Sequence, residues 1–246
     1  QRPDGYHERE TIFQRVDLHD RLTLTKSHRD GIRLRCDLPG VPPEANIVWK
    51  AYHRLKELAP ALGGLDVVLE KRIPTQAGMG GGSADCAAFL LGANRLWDLG
   101  LSQARLLELG AQLGADVPAC LLGGTALGRG IGEQLTPIPS ALVLHLAVVQ
   151  PPVAFFTPEM FRRLDAFDVS PRQRFTAAEA ARALEDGDLE SLCRYLYNVL
   201  EEAVPSPVIE EIKGALAEQG ALGSLMTGSG SCVFGLFPGD QEARAA

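Results

Sequence analysis

Two rhythms of apolar and polar residues run along the chain. Short alternating stretches at 11–13, 22–25 and 32–35 predict strands, with Asp30-Gly31 as a hairpin-like turn between the last two. A proline-rich break from Pro39 to Pro43 follows. From Asn46 the spacing changes: Ile47, Ala51, Leu55 and Leu58 recur at helical intervals and predict a helix to about Leu58. Pro60 and Gly63-Gly64 stop it, and the apolar run 65–70 reads as another strand. After a glycine-rich loop, Ala87, Leu90, Leu91 and Leu96 predict a helix to about Trp97, ended by Gly100. Ser102 caps a further helix to Leu113, with leucines 106, 107, 109 and 113 on its core face.

The second half repeats the mixture. A strand is expected at 142–149, and a helix follows the segment from Phe155 to Phe161. Thr176-Ala-Ala-Glu179 is a capping box that opens a helix to about Gly187. Amphipathic helices are expected at 189–203 and from Ser206-Pro207 to Gly220, and a strand at 233–237. Strands and helices interspersed in this way give an α+β chain, split at 139/140 into two domains, 1–139 and 140–246.

Composition narrows the function classes. A chain of 246 residues with 46% apolar and 22% charged residues supports one large core or two smaller ones. The net charge of −7 argues against a general nucleic-acid or anionic-membrane binder. The longest apolar run, 141–149, is too short to span a bilayer and contains His145. Five scattered cysteines (Cys36, Cys86, Cys120, Cys193, Cys232) without C-x-x-C spacing read as reduced thiols of a cytoplasmic protein, and no metal ligand set is assigned. No leader pattern is visible.

The chemistry concentrates at Pro74-Thr75-Gln76-Ala77-Gly78-Met79-Gly80-Gly81-Gly82-Ser83-Ala84-Asp85, between a strand and a helix. Glycines there let a ligand approach the backbone, and loop N–H groups with the positive end of the helix converge on an anion. Ser83 is placed to cap the helix and to offer its hydroxyl to the same anion. A di- or triphosphate suits such a cradle. The pattern is neither G-x-x-x-x-G-K-S/T, since no Lys follows the last Gly, nor a dinucleotide fingerprint. Tight packing alone is the alternative.

Asp116 stands in the otherwise apolar stretch Ala115, Val117, Ala119, Cys120, where a carboxylate must be paired or functional. It is either the N-cap of a short helix starting at Pro118 or a functional group. Thr227-Gly-Ser-Gly-Ser-Cys232 is either a second anion-facing loop or a tight turn. Asp4-Gly-Tyr-His7 has turn chemistry followed by two planar rings. Lys71 ends the strand before the glycine loop.

The loop resembles the second motif of the GHMP kinases, P-x-x-x-G-x-G-G-G-S followed by S/A and N/D. Asp4-Gly-Tyr-His7, Leu113-Gly-Ala-Asp-Val-Pro118 and Thr227 to Cys232, in that order, resemble the branch of that superfamily acting on a cytidine diphosphate-linked methylerythritol. The resemblance implies a two-lobed fold with the active site in the cleft between the lobes. It also implies ATP-dependent phosphorylation of the 2-hydroxyl of that small molecule, in the non-mevalonate isoprenoid route. ATP would lie on residues 74–84, with Lys71 facing the nucleotide and Asn46 and Val48 near adenine. His7 would hydrogen-bond the cytosine, Tyr6 and Phe161 would sandwich its ring with Thr157 nearby, and Asp116 would act on the hydroxyl. Mg²⁺ would bridge the phosphates.

The family's P-A-K-I/L-N-L strand, whose lysine partners the aspartate, has no match here, and the activity of the chain as given is therefore open. A monomer or weak homodimer is expected. Two alternatives stand beside this reading. A mevalonate- or homoserine-type GHMP kinase would have no base to read with Tyr6 and His7. A non-catalytic nucleotide-binding module would keep the glycine loop without needing Asp116.

Overall fold

The computed structural model describes residues 7–38, 40–167 and 176–246. Tyr6 lies outside them, as do residues 1–5. The chain forms two compact units, one of Phe13–Ile73 with Gly80–Leu135 and one of Gln1–Ile12, Pro74–Met79 and Thr136–Ala246.

In the first of these, β1 (Thr11–Gln14) enters at Phe13, and β2 (Arg21–Ser27), β3 (Ile32–Cys36) and β4 (Gly64–Glu70) form a sheet in the order β2-β4-β3. β2 runs antiparallel to β4 and β3 parallel to it, with Leu24 opposite Val67 and Leu34 opposite the same residue. The hairpin expected at Asp30-Gly31 is therefore not made: β4 inserts between the two strands. All three strands alternate, but β4 buries its inner face (Leu65, Val67, Leu69) most fully and takes the centre, while Leu22 and Leu24 of β2 and Ile32 and Cys36 of β3 are only half-buried at the edges. Gly64 lets β4 pass the turn, since a Cβ there would lie 1.7 Å from the Arg29 carbonyl oxygen.

Helices α1 (Ile47–Leu58), α2 (Gly81–Leu96), α3 (Gln103–Leu113) and α4 (Val117–Leu122) bring Val48, Ala51, Leu55, Phe89, Leu90, Leu106, Leu109 and Val117 into the same core as the sheet. β5 (Thr125–Arg129) lies between β1 and β6 (Gln134–Pro137) in a second sheet.

The other unit has the antiparallel sheet β7 (His145–Val149), β9 (Val233–Phe237), β8 (Gly223–Met226), with β9 central. Around it lie α5 (Thr157–Asp165), α6 (Ala177–Asp186), α7 (Leu189–Arg194), α8 (Val199–Ala203), α9 (Pro207–Glu218) and α10 (Asp240–Ala245). The single helix expected at 189–203 is two helices. Asn198 breaks it: its Oδ1 accepts from Leu200 N–H at 3.0 Å to cap α8, and its Nδ2 donates to the Met226 and Gly228 carbonyls, each at 2.8 Å. An asparagine in a continuous helix could not make both sets of bonds.

No described helix is long and apolar enough to cross a membrane, and all five cysteines are free thiols.

Candidate active site

The glycine loop is built by two different kinds of anchor. Its first half, Pro74–Met79, twists through positive φ at Gln76 (53°) and Gly78 (73°). The Ala77 carbonyl accepts from Cys232 N–H at 3.2 Å, and the Gly78 carbonyl accepts from the Thr227 hydroxyl at 3.1 Å. A Cβ at Gly78 would fall 2.0 Å from the Thr227 carbonyl oxygen, so this glycine serves close approach to the 227–232 turn. Ala77 is buried, Pro74 and Met79 are half-buried, and Thr75 and Gln76 are exposed.

The second half starts α2 earlier than the sequence suggests. Gly80, with φ 66°, is the N-cap and makes no side-chain cap bond. The Gly80 carbonyl accepts from Ala84 N–H at 2.9 Å. Ser83 is thus the third helical residue and not the cap, because the left-handed glycine starts the helix without a capping side chain. The N–H groups of Gly81, Gly82 and Ser83 precede the first intrahelical bond and lie at the positive end of a 16-residue helix. A Cβ at Gly82 would meet nothing closer than Ile47 Cγ2 at 3.9 Å, so the protein leaves that side open. This half fits an anion such as a phosphate chain.

Under this half lies buried charge. Lys71 Nζ donates to Asp85 Oδ2 at 2.6 Å and to Asp20 Oδ2, with side-chain exposures of 8% for Lys71, 6% for Asp85 and 4% for Asp20. Asp20 Oδ1 also accepts from Ile73 N–H at 2.8 Å and from Arg72 N–H. Burial pushes the Asp85 carboxyl up to about 7 against the pull of Lys71. Burial works upward on Asp20 too, but the Arg72 N–H, the Lys71 ammonium and the Ile73 N–H together hold it below its usual value. Burial alone would lower Lys71; its two carboxylates more than offset this and raise it.

Asp116 sits between α3 and α4, partly exposed, and its side chain makes no N-cap hydrogen bond to α4. Asp116 thus occupies the N-cap position of α4, as one alternative has it, but does not cap the helix through its carboxylate. Beside it, a Cβ at Gly114 would lie 3.3 Å from Val117 Cγ2, 3.8 Å from Ile47 Cδ1 and 3.9 Å from Ser83 Oγ. The starts of α1 and α2 therefore converge on the turn that carries Asp116. Asn46 caps α1, its Oδ1 accepting from Val48 N–H at 2.9 Å, and the Val48 side chain is wholly buried. A pocket of about 310 Å³ opens beside Asn46, lined also by Leu34, Arg35, Cys36, Val41 and Pro43. Trp49 packs on His53, with ring centroids 3.9 Å apart.

In the other unit, His7 stacks on Phe161 with centroids 4.8 Å apart and planes at 25°. Its Nε2 pairs with Asp165 Oδ1 at 2.6 Å. Phe161 and Asp165 are four residues apart on α5 and share a face, which is the one sequence signal that could have flagged Asp165. Thr157 Oγ1 and Ser229 Oγ are 2.7 Å apart, which links the start of α5 to the 227–232 turn. Nothing local marks Asp20, whose partners lie more than fifty residues away. Asp85 lies inside the glycine motif but reads there only as its polar end.

Among the described residues no group of three or more His, Cys, Asp or Glu is placed to hold a metal ion. A cation here would depend on the phosphates and on single oxygens such as the Ser83 hydroxyl.

Residues 46–124 match the GHMP kinases N terminal domain and residues 180–246 the GHMP kinases C terminal domain. The chain is 44% identical over 253 residues to a 4-diphosphocytidyl-2-C-methyl-D-erythritol kinase of Geobacter metallireducens, covering 100% of this chain and 86% of that protein. It is 40% identical over 249 residues to the protein of the same name from Alkaliphilus oremlandii, covering 100% and 85%. A crystal structure of 4-(cytidine 5'-diphospho)-2C-methyl-D-erythritol kinase superposes with a TM-score of 0.79 at 34% identity, covering 99% of this chain and 86% of that one.

Proposed function

The chain belongs to the GHMP kinase family, and on that premise we propose that it transfers the γ-phosphoryl group of ATP to the 2-hydroxyl of 4-diphosphocytidyl-2-C-methyl-D-erythritol. It is a small-molecule phosphotransferase that uses ATP. The acceptor is supported by relatives of that name at 40–44% identity over the whole chain. The single observation that carries the chemistry is the turn at Gly114–Asp116, which lies against Ser83 at the start of the glycine-loop helix. A proton acceptor thus stands beside a phosphate cradle.

The roles follow from the residues. The N–H groups of Gly81, Gly82 and Ser83 bind phosphate oxygens, and the pocket beside Asn46 takes the adenine. His7 and Phe161 offer the flat surface for cytosine, with Thr157 nearby. Lys71 acts on the loop from beneath, since its ammonium is already engaged by two carboxylates. Asp116 takes the hydroxyl proton as the acceptor oxygen bonds to the γ-phosphorus and the bond to the bridging oxygen of ADP breaks. The Ser83 hydroxyl would hold a Mg²⁺ ion that arrives with the phosphates, and the ion would supply neutralising charge there. Participation in isoprenoid-precursor supply by the non-mevalonate route follows from the acceptor.

ADP release by the full-length protein with Mg-ATP tests this reading, with the cytidine-linked acceptor, mevalonate and homoserine run side by side. Turnover should be confined to the first. Asp116→Asn should lower kcat by about 100- to 10,000-fold while leaving ATP binding in place, the size expected for loss of a general base. Equal turnover with mevalonate or homoserine would overturn the substrate assignment.

A further inference from the structure

We propose that Asp20 and Asp85 are positioning residues for the nucleotide: acting through the one ammonium of Lys71, they tie together the two ends of the glycine loop and so set its N–H groups for the phosphates of ATP. This rests on the glycine loop being the ATP site.

β4 ends at Glu70; the glycine loop follows Ile73 and runs into α2, whose first two turns carry Asp85. Asp20, just before β2, holds the entry by accepting from the Arg72 and Ile73 N–H groups. Its other oxygen accepts from Lys71, and Lys71 donates in turn to Asp85 on the exit side. One continuous chain of hydrogen bonds therefore spans the loop from 73 to 85. The ammonium also lies directly beneath the start of α2, since a Cβ at Gly81 would be 3.4 Å from Nζ and 2.9 Å from Ile73 Cγ2. Any shift of Lys71 is a shift of the surface on which Gly81 rests.

Fold stability alone gives no reason for this arrangement. Two carboxylates face one ammonium, all nine-tenths buried. Buried ionic groups are commonly matched or exceeded in stability by apolar residues of similar volume, so what this cluster adds is geometry.

Asp85→Asn and Asp20→Asn in the full-length protein test the proposal. The readouts are direct titration with a non-hydrolysable ATP analogue, steady-state KM for both substrates, and thermal melting. We expect Asp85→Asn to weaken nucleotide binding about tenfold, as loss of a charged hydrogen-bond partner does, with the acceptor KM within about twofold. Asp20→Asn should act in the same direction and more strongly. Wild-type affinity in both variants would overturn the proposal. So would losses that affect both KM values equally and merely track melting temperature. If the unaltered protein fails to bind the analogue, the ATP-site reading falls as well. Because titration needs no acceptor, a wrong acceptor assignment would leave this result untouched.

Discussion

Pro74–Met79 and Gly80–Asp85 are two halves of one loop held by different physics. The first is fixed by backbone approach and neutral hydrogen bonds, Gly78 lying against the Thr227–Gly230 turn and Ala77 bonded to Cys232. The second is a helix start resting on a buried cluster of two carboxylates and an ammonium. Neutral contacts of the first kind are indifferent to pH and unforgiving of added volume. Charged contacts of the second kind tolerate small shifts and respond to pH. Glycine therefore means different things along one motif. At Gly78 it is demanded by the protein's own backbone; at Gly82 it leaves space that the protein does not use.

Substitution separates the two halves. The largest effect is expected for Gly78→Ala, which places a methyl group 2.0 Å from a carbonyl oxygen at φ 73°. Backbone strain and overpacking together should cost about 3 kcal/mol or more, a fall in melting temperature of roughly 6–12 °C. Calorimetry measures it, and an unshifted melting curve would mean that the first half is not clamped. Thr227→Val removes only the hydroxyl donor to the Gly78 carbonyl and should cost about 1 kcal/mol. That loss should be the same at pH 6 and pH 8, in contrast to substitutions in the Asp20–Lys71–Asp85 cluster.

Gly82→Ala should change stability least, and upward: alanine is favoured in the first turn of a helix by up to about 1 kcal/mol, and no protein atom opposes it. On the proposed ATP site it should nonetheless weaken nucleotide binding, because the methyl group would enter the space that reading gives to phosphate. A variant that melts higher and still binds ATP normally would break the comparison at that point.

Much of this was legible from residue order. The helical spacing of Ile47, Ala51 and Leu55, the cap at Ser102 and the box at Thr176 and Glu179 all form as read. These are local signals, in which the residues that decide the structure lie within a few positions of one another. The hairpin expected at Asp30-Gly31 failed because a turn sequence cannot report which third strand will claim the space between its arms. The helix at 189–203 failed because Asn198 finds better partners in the carbonyls of Met226 and Gly228 than in its own neighbours. Ser83 reads as a cap only if the left-handed turn at Gly80 is unseen.

By itself, then, the sequence determined most element types and the family, and singled out the glycine loop and Asp116 as candidates, because each is written in short runs or ordered motifs. The tertiary structure alone decided the order β2-β4-β3, the pairing of His7 with Asp165 and the capture of Lys71 by Asp20 and Asp85. The physical reason is that none of the three is written locally. Sheet order and the Lys71 cluster are settled by which groups must share a buried space, and His7 meets Asp165 only through the fold, 158 residues along the chain.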